Sequence, residues 1–100
     1  MNSITAVSQI TYSDVADYIR LSEITTDDQN TLETYLNVAK TFIADYTGHT
    51  IAELDNYPDF VIVVLILCQD MWDERTLYVD KTNLNKVVET ILGMHSVNLL

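Results

Sequence analysis

Three acidic side chains near the end of an apolar segment have the clearest capacity for chemistry. Asp70, Asp73 and Glu74 are close in sequence, and Asp70 and Glu74 would share one face of a helix because they are four residues apart. Such carboxylates can hold a metal ion or exchange protons. No histidine, lysine or glycine-rich loop completes a site around them. We therefore interpret them as a solvated helix end whose acids pair with Arg75 or with a neighbouring subunit.

The other reactive side chains lack the spacing that a site requires. His49, His95 and Cys68 do not have zinc-ligand spacing, and no H-E-x-x-H, C-x-x-C, phosphate-loop or dinucleotide pattern occurs. We interpret His95 as a hydrogen-bonded packing histidine and Cys68 as a buried, inert thiol. The sequence predicts no catalytic residue, no metal ligand and no cofactor, and we expect a protein that is not an enzyme.

The charge of the chain limits its partners. It has 100 residues, with 15 acidic against 5 basic side chains and a formal net charge of −10. Binding to phosphates needs clustered lysine and arginine, so we expect neither sequence-specific binding to nucleic acid nor attachment to an anionic membrane surface. The length suits one domain over residues 1–100. The opening "MNSITAVSQITYSD" lacks a secretory signal, which predicts synthesis in the cytoplasm.

Capping signals and apolar spacing place the first two helices. Residues 1–11 show no clear period and are predicted to form a mobile or partner-ordered arm. A short helix is predicted from Ser13, its cap, to about Leu21. A long amphipathic second helix is predicted between a capping box at Thr26–Gln29 and a stop at Gly48. Its apolar side, an arc of about 160°, is wide enough to meet a second partner. That side contains Leu32, Tyr35, Leu36, Val38, Ala39, Phe42, Ile43 and Tyr46.

The segment "DFVIVVLILCQDMWDER", residues 59–75, admits three interpretations. As a membrane span it is too short, because nine apolar residues of helix rise about 14 Å against a hydrocarbon core of about 30 Å. A buried strand is possible because many of its residues are β-branched. Helix is favoured, because Pro58 suits a first helical position and the segment runs unbroken into polar residues. We predict an apolar, central third helix.

The predicted fold class is all-α, a small bundle of about four helices. The fourth helix is predicted over 85–94. Its predicted apolar arc contains Leu84, Val87, Val88, Ile91 and Met94.

Trp72 lies where the third helix changes from apolar to amphipathic. It is either a partly buried core aromatic or an anchor at a subunit interface, where Trp and Tyr are enriched. The chain also has six tyrosines, which makes self-association plausible. The residues predicted to contact a neighbouring subunit are Trp72, Arg75, Tyr35 and Phe42.

Four segments form an ordered pattern over residues 10–100. They are "ITYSDVADYIRLSE", "TTDDQNTLETYLNVAKTFIADYTG", a proline-initiated apolar helix ending in "CQDMWDERTL", and "NKVVETILGMHSVNLL". The most specific parts are A-x-x-F-I-x-x-Y-T-G at 39–48 and D-M-W-D-E-R at 70–75, neither of which is a catalytic signature. In this order the segments resemble the gp6-like head–tail connector proteins of tailed bacteriophages.

The resemblance implies an all-helical virion subunit, made in the host cytoplasm and assembled at the head–tail interface. Such subunits form a ring of about twelve or thirteen copies in which one heterologous contact repeats. The ring would bind the portal protein and a downstream neck or tail-completion protein, and no membrane. DNA would pass through its channel without sequence-specific binding, and an acidic wall would repel phosphate and let the duplex slide.

Two other classes of protein compete with this interpretation. A small acidic helical inhibitor that mimics DNA would need carboxylates in phosphate-like rows on one surface, whereas the acids here are scattered over caps, loops and helix ends. It would also tend to remain a monomer or dimer. A small hydrolase would need a nucleophile and a base, and the sequence offers no such pair.

Overall fold

The computed structural model describes residues 4–97, and in this part of the chain helices are joined by turns and irregular segments, with no strand. The all-α prediction is confirmed. The four α-helices are α1 (Tyr12–Tyr18), α2 (Thr26–Thr47), α3 (Phe60–Glu74) and α4 (Lys86–His95). Three short 3-10 helices connect or precede them, at Val7–Gln9, Ala52–Asn56 and Lys81–Asn83.

The first two helices begin one or two residues earlier than predicted. Thr11, not Ser13, caps α1, and its backbone amide donates to Asp14 Oδ2 at 2.8 Å. Thr25, not Thr26, caps α2, where the Asp28 amide donates to Thr25 Oγ1 at 3.0 Å. In both capping boxes an aspartate stands three residues after the cap, where glutamate or glutamine is usual. Each box therefore begins earlier in the chain than the sequence pattern indicated. Gly48 ends α2 in the left-handed conformation with φ 81°, as predicted.

Helix α3 is the centre of the bundle, since it packs against α1, α2 and α4. Eight of its 15 residues are buried. It begins at Phe60, two residues after the predicted start, because Pro58 and Asp59 form a turn in which the Phe60 amide donates to the Tyr57 carbonyl at 3.0 Å. None of the helices between residues 4 and 97 combines the length and apolarity that a membrane crossing needs.

The N-terminal segment is packed, so the predicted arm is corrected for residues 4–11. Val7 and Ile10 are buried in the core, and the 3-10 helix at Val7–Gln9 lies against α3 and the 3-10 helix at Ala52–Asn56. The Ser8 amide donates to Asp55 Oδ1 at 2.9 Å. Hydrogen bonding from Ser8, through its side chain and its amide, lowers the pKa of Asp55. Residues 1–3 of the predicted arm lie outside the described residues.

Helix α4 buries a different face from the predicted one. Val88 and Leu92 are buried, whereas Val87 and Met94 are 52% and 64% exposed. Leu92 had not been placed on the apolar arc. The predicted arc is therefore wrong at Val87 and Met94, which lie about 120–140° around the helix from the side that meets the core. The last residues of the predicted tail, 98–100, lie outside the described part of the chain.

Candidate interaction surface

The acidic, histidine and cysteine side chains lie at several separate places in the described part of the chain. Between residues 4 and 97, no three His, Cys, Asp or Glu side chains are grouped closely enough to hold a metal ion. Cys68 is buried, as predicted, and burial raises the pKa of its thiol to about 12. The thiol is therefore protonated at neutral pH and is a poor nucleophile.

The acids at the end of α3 are exposed, but they do not pair with Arg75. Burial raises the pKa of Asp70, and repulsion from Glu74 and Asp73 raises it further. The Arg75 guanidinium lies instead over the Trp72 ring, 4.2 Å from its centroid. The predicted pairing with Arg75 is thus absent from the described subunit, and the predicted pairing with a neighbour stays a prediction.

We expect Asp70→Asn to stabilise the subunit at neutral pH. Because the pKa of Asp70 is higher in the folded state than in the unfolded chain, the folded state binds this proton more tightly. The free energy of unfolding therefore falls as pH rises through the folded pKa and the carboxylate becomes charged. Most of the side chain is in solvent, so the expected gain is a few tenths of a kcal/mol after screening. Urea denaturation at pH 7 and below pH 3.8, its ordinary pKa, should show a gain that disappears in acid. An equal gain at both pH values would contradict the electrostatic explanation.

The two histidines join the end of α4 to the connector between α2 and α3. His49 Nε2 lies 2.7 Å from the His95 carbonyl oxygen, and His95 Nε2 lies 3.0 Å from Asp59 Oδ2. The Tyr57 ring lies beside both imidazoles, with centroids 5.0 Å and 4.6 Å away. The hydrogen bond of His95 to Asp59 and its contact with the Tyr57 ring agree with the prediction of a hydrogen-bonded packing histidine.

Trp72 and Arg75 form an exposed unit at the end of α3. Trp72 is half-buried against the core, and Arg75 is exposed. Arg75 ends the helix in the left-handed conformation with φ 57°, and the Thr76 amide donates to the Met71 carbonyl at 3.2 Å. Glycine is the usual residue at this position, because a side chain is strained there. Arg20 shares this strain at φ 62°, so what sets Arg75 apart is the position of its guanidinium over Trp72.

The other two predicted interface residues lie in different environments. Tyr35 is only 2% exposed, because the chain's own core encloses its ring. It has no surface to offer a neighbour, and we withdraw it as a contact residue. Phe42 is half-buried and stacks obliquely on Tyr46, with 5.7 Å between ring centroids. It remains on the candidate surface.

Phe42 lines an apolar groove that we name the α2 groove. Its apolar lining is Val38, Phe42, Leu77, Tyr78 and Val79, and its polar rim is Asn37, Thr41 and Asp45. The groove has a volume of about 460 Å³. Leu77 and Tyr78 are 64% and 65% exposed, the most uncovered apolar side chains of the segment that follows α3. The sequence did not predict that they would border α2.

A second uncovered apolar surface runs along α4, and we name it the α4 stripe. It consists of Val87, Ile91 and Met94, whose spacing of four and three residues places them on one side of the helix. Val87 and Met94 are more than half exposed, and Ile91 is half-buried. The stripe is therefore available to a partner beside the face that α4 buries.

The lysine and arginine side chains make no ion pairs with the carboxylates of residues 4–97. All five lysines and arginines lie between residues 4 and 97, and none has a carboxylate oxygen within 4.0 Å. The close histidine–carboxylate contacts in this range are His49 with Glu53 at 3.8 Å and His95 with Asp59 at 3.0 Å. Lysine and arginine are thus free to pair with acids of another molecule.

The chain matches no protein-family model, no curated protein and no solved structure.

Proposed function

We propose that the protein is a structural virion subunit of a tailed bacteriophage, forming a ring beneath the portal that connects the DNA-filled head to the tail. The observation that carries this proposal is the exposure of apolar surface in a well-packed small bundle. Leu77, Tyr78, Val87 and Met94 are each more than half exposed. Contiguous exposed apolar surface marks sites of protein association.

The resemblance of the ordered segments to head–tail connectors implies that the assembly is a ring. A ring repeats one heterologous contact, which requires two different surfaces on each subunit. The α2 groove and the α4 stripe share no residue, and no α4 residue lines the groove. The chain therefore carries two separate surfaces that suit such a contact.

The charge of the chain suits a conduit for DNA. A net charge of −10 disfavours tight contact with phosphate, so a duplex would slide along an acidic wall rather than bind to it. The ring would bind the portal on one side and a neck or tail-completion protein on the other. This proposal requires that the inner wall of the assembled ring is not basic.

The test is to mix the purified protein with the portal protein of the same virus and to image the product by negative stain. We expect an added ring, coaxial with the portal and open at its centre. An unchanged portal, together with a monomer that competes with DNA for a nucleic-acid enzyme, would contradict the proposal and favour a DNA-mimicking inhibitor.

A further inference from the structure

We propose that the α4 stripe of one subunit docks in the α2 groove of the next copy of the same chain. This inference rests on the proposed function, since it names the contact that would repeat around the ring. The occupant of the groove is thus a helix of a second copy, and the ring closes when the last stripe meets the first groove.

The shapes of the two surfaces suit a helix lying in a groove. Such docking uses apolar side chains at positions i, i+3 or i+4, and i+7, as Val87, Ile91 and Met94 provide. These side chains extend over about 10 Å of helix. Within one subunit the groove is not filled by α4, because its lining comes from α2 and the segment after α3. A second copy can therefore enter it without displacing the chain's own helix.

The charges beside the two surfaces are complementary in one orientation. Lys86 immediately precedes the stripe and flanks it, whereas Glu89 lies on the opposite side of α4 and would face away from the groove. At one end of the groove, Asp45 and Lys81 line a small adjoining cavity with Phe42 and Tyr46. Docking with the start of α4 at this end would bring Lys86 to Asp45. Lys86 has no ion-pair partner within residues 4–97, so this pair would be new.

The contact is heterologous, because the stripe and the groove are different surfaces. A heterologous contact forms a ring when its rotation closes, whereas an isologous contact stops at a dimer. The separation of the two surfaces therefore agrees with a ring of many copies.

Alanine substitutions test the apolar part of the contact. We expect Val87→Ala and Leu77→Ala each to raise the concentration of half-assembly by about tenfold, which corresponds to an interface residue of intermediate weight. Both side chains are exposed in the subunit, so thermal unfolding of the monomer should not change. Ile51→Ala is the matched control, because Ile51 is also 52% exposed but lies on neither surface and is not among the residues predicted to contact a neighbouring subunit.

Charge reversals test the orientation. Lys86→Glu and Asp45→Lys should each weaken assembly, and the double variant should recover it. As a control, Arg20→Glu combined with Asp45→Lys should assemble as poorly as Asp45→Lys alone. Light scattering over a concentration series measures all the variants. The inference is overturned if Val87→Ala and Leu77→Ala assemble like the wild type, or if the double reversal recovers nothing. In either case, if the wild type still forms rings, the proposed function is retained and only the proposed contact is rejected. If the wild type never assembles, with or without portal, both the function and the contact are rejected.

Discussion

Replacing Arg75 with glycine is expected to weaken assembly by about tenfold or more while leaving the subunit at least as stable as the wild type. Glycine relieves the left-handed backbone at φ 57°, a gain of about 1 kcal/mol. The loss of the guanidinium over Trp72 removes a contact of about 0.5–1 kcal/mol. These two effects nearly cancel within the subunit. Any loss of assembly would then come from the missing side chain at the interface.

Arg20 supplies a matched control for this experiment. It also ends a helix in the left-handed conformation, with φ 62°, and it is also exposed. Unlike Arg75, it lies over no aromatic ring within the described residues. Arg20→Gly should therefore raise the free energy of unfolding by about 1 kcal/mol and cause the same change in net charge, but leave assembly unchanged. Equal effects of the two variants on assembly would show that Arg75 acts only through its charge.

Replacing Ile10 with alanine is expected to lower the free energy of unfolding by about 2–5 kcal/mol. Ile10 is buried in the core, so alanine would remove apolar contacts and leave a cavity. The change would be a large fraction of the stability of a small domain. Urea denaturation followed by circular dichroism measures it.

Thr5→Ala is the control for the N-terminal segment. Thr5 is exposed, and its recorded hydrogen bond uses only the backbone amide, which donates to Gln9 Oε1 at 2.9 Å. We expect a change within about 0.5 kcal/mol, as for an ordinary surface position. If Ile10→Ala also fell within that range, the segment would be an unpacked arm, as the sequence alone suggested.

The helices were predictable because their signals are local. The apolar run of α3 and the stop at Gly48 depend on neighbouring residues only, and both predictions agree with the structure. The N-terminal segment was not predictable in the same way. The segment around Val7 and Ile10 is too short to show the apolar spacing of a helix or strand. Its burial depends on a part of the chain more than 40 residues away, near Asp55.

The candidate surface was predicted only in part, for a similar reason. Trp72 and Arg75 were proposed because an aromatic residue at the polar end of an apolar helix indicates an interface, and the structure places them together. The α2 groove was missed because Leu77 and Tyr78 reach α2 only through a turn after Arg75 that the sequence did not indicate. On α4, five apolar residues offered more than one possible inward face, and packing against α2 and α3 selected Val88 and Leu92.

The mass of the largest species tests the central claim most directly. Native mass spectrometry of the purified protein, alone and with the portal of the same virus, would count the copies. We predict a closed ring of about twelve or thirteen copies, formed alone or on addition of the portal, with no continuous series of longer chains. A species that remains a monomer or dimer at every concentration, with and without the portal, would contradict the account.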